Sequence, residues 1–114
     1  MIMDIEQLLG IVKDALEDKK AGDIEVLDVR NKSSIADFMV VATGNTSRQV
    51  VALAQHLIEK AKSYGQRPLG DEGFNAGEWV LVDLGDIIVH IMQPDTRDFY
   101  QLEKLWSEVN TVSN

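Results

Sequence analysis

With 114 residues, 45% of them apolar and 26% charged, the chain has the length of one domain and enough apolar side chains for one core, which leaves no room for a second domain of ordinary size. The lack of cysteine excludes disulfides, thiolate metal sites and a thiol nucleophile. A formal charge of −8 opposes direct binding to a nucleic-acid backbone, where affinity rests on Lys and Arg displacing counterions, and favours approach to a basic protein surface.

The first predicted element is a helix. Asp4, three residues before Gln7, forms a capping-box pattern, and Ile5, Leu8, Leu9, Val12 and Leu16 repeat at helical spacing. The helix is expected over Ile5 to Lys20, with Glu6, Lys13, Glu17 and Asp18 on its solvated side. This N-terminal segment lacks the basic start and unbroken apolar run of a signal peptide, and no segment approaches transmembrane length. A cytoplasmic protein with no membrane contact is therefore the expectation.

Two strands follow. "DIEVLDV" from Asp23 alternates and is rich in β-branched residues, and "FMVVAT" from Phe38 is a nearly continuous apolar run, as in a strand covered on both faces. "RNKSSIAD" is the polar connection between them. The next stretch, "TGNTSRQV" from Thr43, joins a strand to a helix through a glycine turn with hydroxyl and basic residues, the arrangement of a phosphate cradle. A dinucleotide fold needs three glycines over six residues and a P-loop needs a Lys after its glycine; here Gly44 stands alone and no Lys follows. Thr46 and Gln49 satisfy a Thr-x-x-Gln capping pattern that needs no ligand, and Arg48 is left as an exposed charge. The helix then carries Val50, Leu53, Ala54, Leu57, Ile58 and Ala61 on one face, ends near Gly65, and places His56 at the solvated flank.

"QRPLGDEGFNAG" reads as loop with a short strand around Pro68 and Leu69. In "EWVLVDLGDIIVHIMQ", Gly85 and Asp86 suit the centre of a type II′ hairpin turn. That register sets Leu84 against Ile87, Val82 against Val89 and Val80 against Ile91, an aliphatic core face. The other face then carries Trp79, Leu81 and Asp83 beside Met92, His90 and Ile88. A closing helix, "RDFYQLEKLWSEV", is expected to align Phe99, Leu102, Leu105 and Trp106 on one stripe.

The order α-β-β-α-β-β-β-α predicts an α/β fold, α+β by a stricter definition, with a mixed sheet flanked by helices. The strand at Phe38, the following helix and the strand near Leu69 can form a right-handed crossover, and the last two strands are antiparallel. One domain over residues 1–109 is expected, with a frayed tail at 110–114.

An enzyme finds little support in these residues. The metal-holding carboxylates of a nucleotidyltransferase share a strand face at i and i+2, whereas Asp83 and Asp86 are three apart with a turn between them. His90 lacks a nucleophile and an oxyanion donor, and reads as a half-buried structural or interface histidine. No HxxxH or HExxH spacing exists to hold a metal, and no cofactor is implied. The mixed face around Trp79 remains open to two readings: an interface, because Trp and Met are enriched in interface cores, or an ordinary core covered by a helix.

The segments "DIEVLDVRNKSSIADFMVVATGNTSR", "PLGDEG", "EWVLVDLGDIIVHIMQ" and "FYQLEKLW" together resemble the ribosomal silencing factor family, also called Iojap-like proteins. The resemblance implies a non-enzymatic function on a nucleotidyltransferase-like fold without the catalytic carboxylates. Members bind the large ribosomal subunit through its fourteenth protein, block joining with the small subunit and lower translation when nutrients are scarce; some are homodimers when free. The family's tryptophan in the partner contact corresponds to Trp79. The neighbours expected around it are Leu81, His90 and Met92, with Asp83 and Glu72 as acidic groups for a basic partner and Tyr100 at the start of the last helix. Trp106 is expected in the core. The alternatives are a large-subunit assembly factor and a nucleotide-binding enzyme using the Gly44 turn.

Overall fold

The computed structural model describes residues 3–105. Among them are three helices, α1 (Ile5–Asp18), α2 (Ser47–Ser63) and α3 (Pro94–Tyr100), and five strands, β1 (Gly22–Asp28), β2 (Phe38–Thr43), β3 (Gly70–Glu72), β4 (Trp79–Asp83) and β5 (Ile87–Met92). The strands form one mixed sheet in the order β1-β2-β5-β4-β3, an α+β fold. No helix among the described residues is long and apolar enough to cross a membrane.

β5 pairs in parallel with β2 and antiparallel with β4, while β1–β2 and β3–β4 are antiparallel. β3 therefore runs parallel to β2, as a crossover through α2 requires, but β5 and β4 lie between them. The short edge strand begins at Gly70, just beyond Pro68 and Leu69; Leu69 itself donates its backbone N–H to Asp83 and stays exposed. The hairpin register matches the period-two reading residue for residue, from Trp79 opposite Met92 to Asp83 opposite Ile88. Its turn is held by Gly85 at φ +92° and by Asp83, whose carboxylate accepts the Gly85 N–H at 2.8 Å.

α1 and α2 pack together on one face of the sheet, with α2 over β4 and β5. Leu16, Leu53 and Leu57 from the helices meet Val40, Val80, Val89 and Ile91 in a fully buried core. Each such leucine contributes about 2 kcal/mol relative to exposure, so this apolar layer sets the stability of the domain.

Both helix starts follow their capping signals. Asp4 and Gln7 close a reciprocal box on α1. On α2, Thr46 accepts the Gln49 N–H at 3.1 Å, but the Gln49 carbonyl reaches one residue further back, to the Asn45 N–H at 2.7 Å. The Gln49 amide then donates to the carbonyls of Lys19 and Lys20 just past the end of α1, so one side chain joins the two helices. Thr46→Ala should cost about 1 kcal/mol of stability in urea titration through loss of the cap. An unchanged midpoint would mean that Gln49 alone holds this helix start.

Asp18 is exposed, as expected, and His56 is half-buried, but neither is free of partners. Asp18 accepts hydrogen bonds at its carboxylate from His56 Nε2 at 3.0 Å and Lys60 Nζ at 2.8 Å, tying the end of α1 to the middle of α2. Periodicity within one helix cannot reveal a bond to another. The bonds from His56 and Lys60 hold the Asp18 carboxyl below its ordinary 3.8. A depressed acid stabilises the fold above its unfolded value and loses that contribution as pH falls through the folded one. The thermal midpoint of Asp18→Asn should thus lie below wild type at neutral pH, and the gap should close below pH 3.8.

A candidate partner-binding face around Trp79

The second face of the sheet is made by alternate residues of the same strands: Glu25 and Leu27 of β1, Met39, Val41 and Thr43 of β2, Ile88, His90 and Met92 of β5, and Trp79, Leu81 and Asp83 of β4. Every residue of β5 is buried, whereas β4 alternates between buried and half-buried. The face is therefore open along β4, as it also is along β1, where Glu25 is exposed and Leu27 half-buried.

α3 lies against this face near the end of β5. Pro94 starts it and Gln101, at φ 48°, ends it in a left-handed conformation, so the predicted closing helix begins earlier and is broken at Gln101, with helical residues resuming at 102–105. Tyr100 stands at its end, not its beginning. Phe99 and Leu105 are 79% and 52% exposed, so the stripe does not enter the core, and Trp106 lies outside the described residues. α3 is pinned by Arg97, a buried residue whose guanidinium donates to Thr43 Oγ1 at 2.7 Å and to Glu103 Oε2 at 2.9 Å, with Glu25 at 3.6 Å. At the other end of the helix the Tyr100 ring lies 4.9 Å from that of Trp79. Thr43, Met92 and Trp79 are neighbours across the register, so α3 spans from β2 to β4 directly over Met92. Helical periodicity gives no sign of this.

Met92 is consequently 0% and His90 5% exposed. They adjoin Trp79 as the register requires, but they underlie the surface, and a partner resting on it reaches neither. His90 is fully buried, more so than the sequence suggests, and its Nδ1 accepts the indole N–H of Trp79 at 3.0 Å. Burial lowers its pKa from 6.5 to about 4, so the ring is neutral at physiological pH. Since Nδ1 accepts, the ring proton sits on Nε2, which is buried without a hydrogen-bond partner among the described residues.

What a partner can touch is Trp79 with Leu81, Glu72 and Tyr100. Glu72 faces Leu81 across the β3–β4 pairing, and Glu72, Gly73, Trp79 and Leu81 line a shallow depression of about 320 Å³. Gly73 sits at φ +98°, and a side-chain carbon there would fall 2.0 Å from the Trp79 carbonyl oxygen; only glycine lets the preceding loop close this tightly on the tryptophan. Tyr100 and Phe99, in edge-to-face contact at 5.0 Å, extend the aromatic surface onto α3. Asp83 is half-buried with one oxygen committed to the turn, so it is the least available of the expected acidic groups.

Three amides of the Gly44 turn are occupied. Gly44 donates to the Met92 carbonyl, and the Asn45 and Gln49 amides that a phosphate would use are taken by Gln49 and Thr46. A Cβ on Gly44 would lie 2.8 Å from Val50 Cγ2, so the glycine serves the packing of strand end against helix start. A cleft of about 700 Å³ nearby has Arg97 in its lining, but Glu103 and Glu25 already neutralise that cation.

The half-exposed Trp79 thus stands on the open part of the face with aromatic and acidic neighbours. In comparison with known sequences, the family described as "Ribosomal silencing factor during starvation" matches residues 2–114. The chain belongs to the ribosomal silencing factor family. A Haemophilus influenzae protein named ribosomal silencing factor RsfS is 50% identical over 100 residues, covering 88% of this chain and 98% of the relative. A crystal structure of a Chromobacterium violaceum protein superposes with a TM-score of 0.90 at 46% identity, covering 92% of this chain and 88% of the other. A mouse protein named "Mitochondrial assembly of ribosomal large subunit protein 1" is 33% identical over 107 residues, covering 91% of this chain and 45% of the relative. The names carried by the bacterial members of the family describe a regulatory role on the ribosome.

Proposed function

We propose that this chain is a non-enzymatic translation repressor that docks on the large ribosomal subunit through its fourteenth protein and, by occupying that surface, blocks joining with the small subunit under nutrient limitation. The observation that supports this most is the presentation of Trp79. A large rigid side chain is held half-exposed on a sheet face, ringed by Leu81, Tyr100 and Glu72, where interfaces place their anchors. The formal charge of −8 adds long-range attraction to a basic ribosomal protein and repulsion from surrounding RNA. The mechanism is steric, so it requires affinity and placement and no chemical step.

The test is sedimentation of the tagged protein with separated subunits and with intact ribosomes. Retention on free large subunits, with little on small subunits or intact ribosomes, is the expected result. Equal retention on intact ribosomes would exclude a joining block. A role in large-subunit assembly is the second reading, favoured by the name of the mouse relative. It predicts accumulation of precursor large subunits when the chain is depleted, whereas a pure silencing role leaves those subunits mature and raises translation during starvation.

A further inference from the structure

The two ring nitrogens of His90 have different fates. Nδ1 accepts the Trp79 indole N–H, while Nε2 is buried with no partner among the described residues. Its neighbours in the register, Val41 and Leu81, are aliphatic and offer it nothing. An apolar residue would fill this place without leaving a buried N–H unpaired, as Met92 does two residues on along the same face. A local rule broken in an otherwise consistent core points to a need outside the core.

We infer that His90 is a positioning residue: it locks the indole of Trp79 into one orientation on the open face, so that the anchor meets its partner already ordered. The ring of Tyr100, 4.9 Å away, closes the other side. His90 is 5% exposed and makes no contact with a partner, so any influence on binding must pass through Trp79. Ordering a side chain before association removes an entropic penalty without adding a contact. This inference rests on the proposed role of Trp79 in docking.

The test compares His90→Leu, which removes the acceptor, with His90→Asn, whose Oδ1 stands at the same bond distance from Cβ as Nδ1. Hydrogen exchange of the Trp79 indole N–H, assigned by Trp79→Phe, is measured by NMR, and affinity is measured on separated large subunits. In wild type the indole proton should exchange slowly. In His90→Leu it should exchange fast, with binding weakened roughly threefold to tenfold and no loss of thermal midpoint. His90→Asn should recover slow exchange and most of the affinity, a rescue that a purely structural role does not predict. Fast indole exchange in wild type overturns the inference, whether or not the leucine variant folds. So does wild-type affinity in folded His90→Leu when Trp79→Ala has lost binding. If Trp79→Ala binds normally, the docking reading fails on its own account, and indole exchange alone then decides whether His90 orders the ring.

Discussion

Replacing Trp79 with alanine is expected to leave the protein folded and to weaken its retention on large ribosomal subunits by roughly thirtyfold or more, the effect of losing an interface anchor contributing about 2 kcal/mol. Trp79 begins β4 and is half-buried, so its removal takes away the Tyr100 ring contact and the hydrogen bond to His90 while leaving the helix-covered core untouched. The vacated space opens to water, which can solvate His90 Nδ1. A stability loss of about 2 kcal/mol is within what a domain of this size tolerates. Trp79→Phe, which keeps much of the apolar area but no N–H, should fall between the two. Sucrose gradients with separated large subunits measure retention, and circular dichroism confirms folding. Undiminished retention of folded Trp79→Ala would remove the residue from the contact and, with it, the proposed docking face.

Acid is the second strong perturbation, and His90 is its target. The ring's folded pKa of about 4 lies below its ordinary 6.5 because burial penalises the charged form. The unfolded chain therefore binds the proton more readily than the folded one between those values, and stability must rise with pH across that window. The contribution is complete above about pH 6.5 and is lost progressively toward pH 4, a difference of about 3 kcal/mol. Protonation also turns Nδ1 into a donor facing another donor, which abolishes the bond from Trp79. Urea titrations at pH 7 and pH 4.5 should show the loss in wild type, and His90→Leu should flatten it. A wild-type slope no steeper than that of the leucine variant would show that the imidazole titrates near its ordinary value and is solvated.

The parts of this fold that were legible in the sequence are those fixed by short-range rules. The β4–β5 register follows from a period of two anchored by Gly85 and Asp86, and both sides of the hairpin could be assigned before any tertiary contact was known. The capping residues Asp4 and Thr46 mark their helix starts because a cap is made within a few residues of the chain. What was not legible depends on distant segments. Neither the bond from His56 to Asp18 nor the reach of Arg97 to Thr43 leaves a trace in local spacing. Nor does any pattern within β5 announce that both of its faces, His90 and Met92 included, are buried. The break at Gln101 is a backbone conformation that apolar periodicity does not register. For the proposed site, the period of two showed which residues share the Trp79 face, but it could not separate the half-exposed ones from those buried beneath.

The position of β5 carries a consequence for synthesis. It is the last strand to leave the ribosome and the central strand of the sheet, joining the β1–β2 pair to the β3–β4 pair. A nascent chain that has completed β4 already contains Trp79, yet it has neither the imidazole that receives the indole proton nor a continuous sheet behind it. The proposed docking face is thus complete only when β5 has emerged, and a chain truncated before Ile87 carries Trp79 without the His90 that accepts its indole N–H.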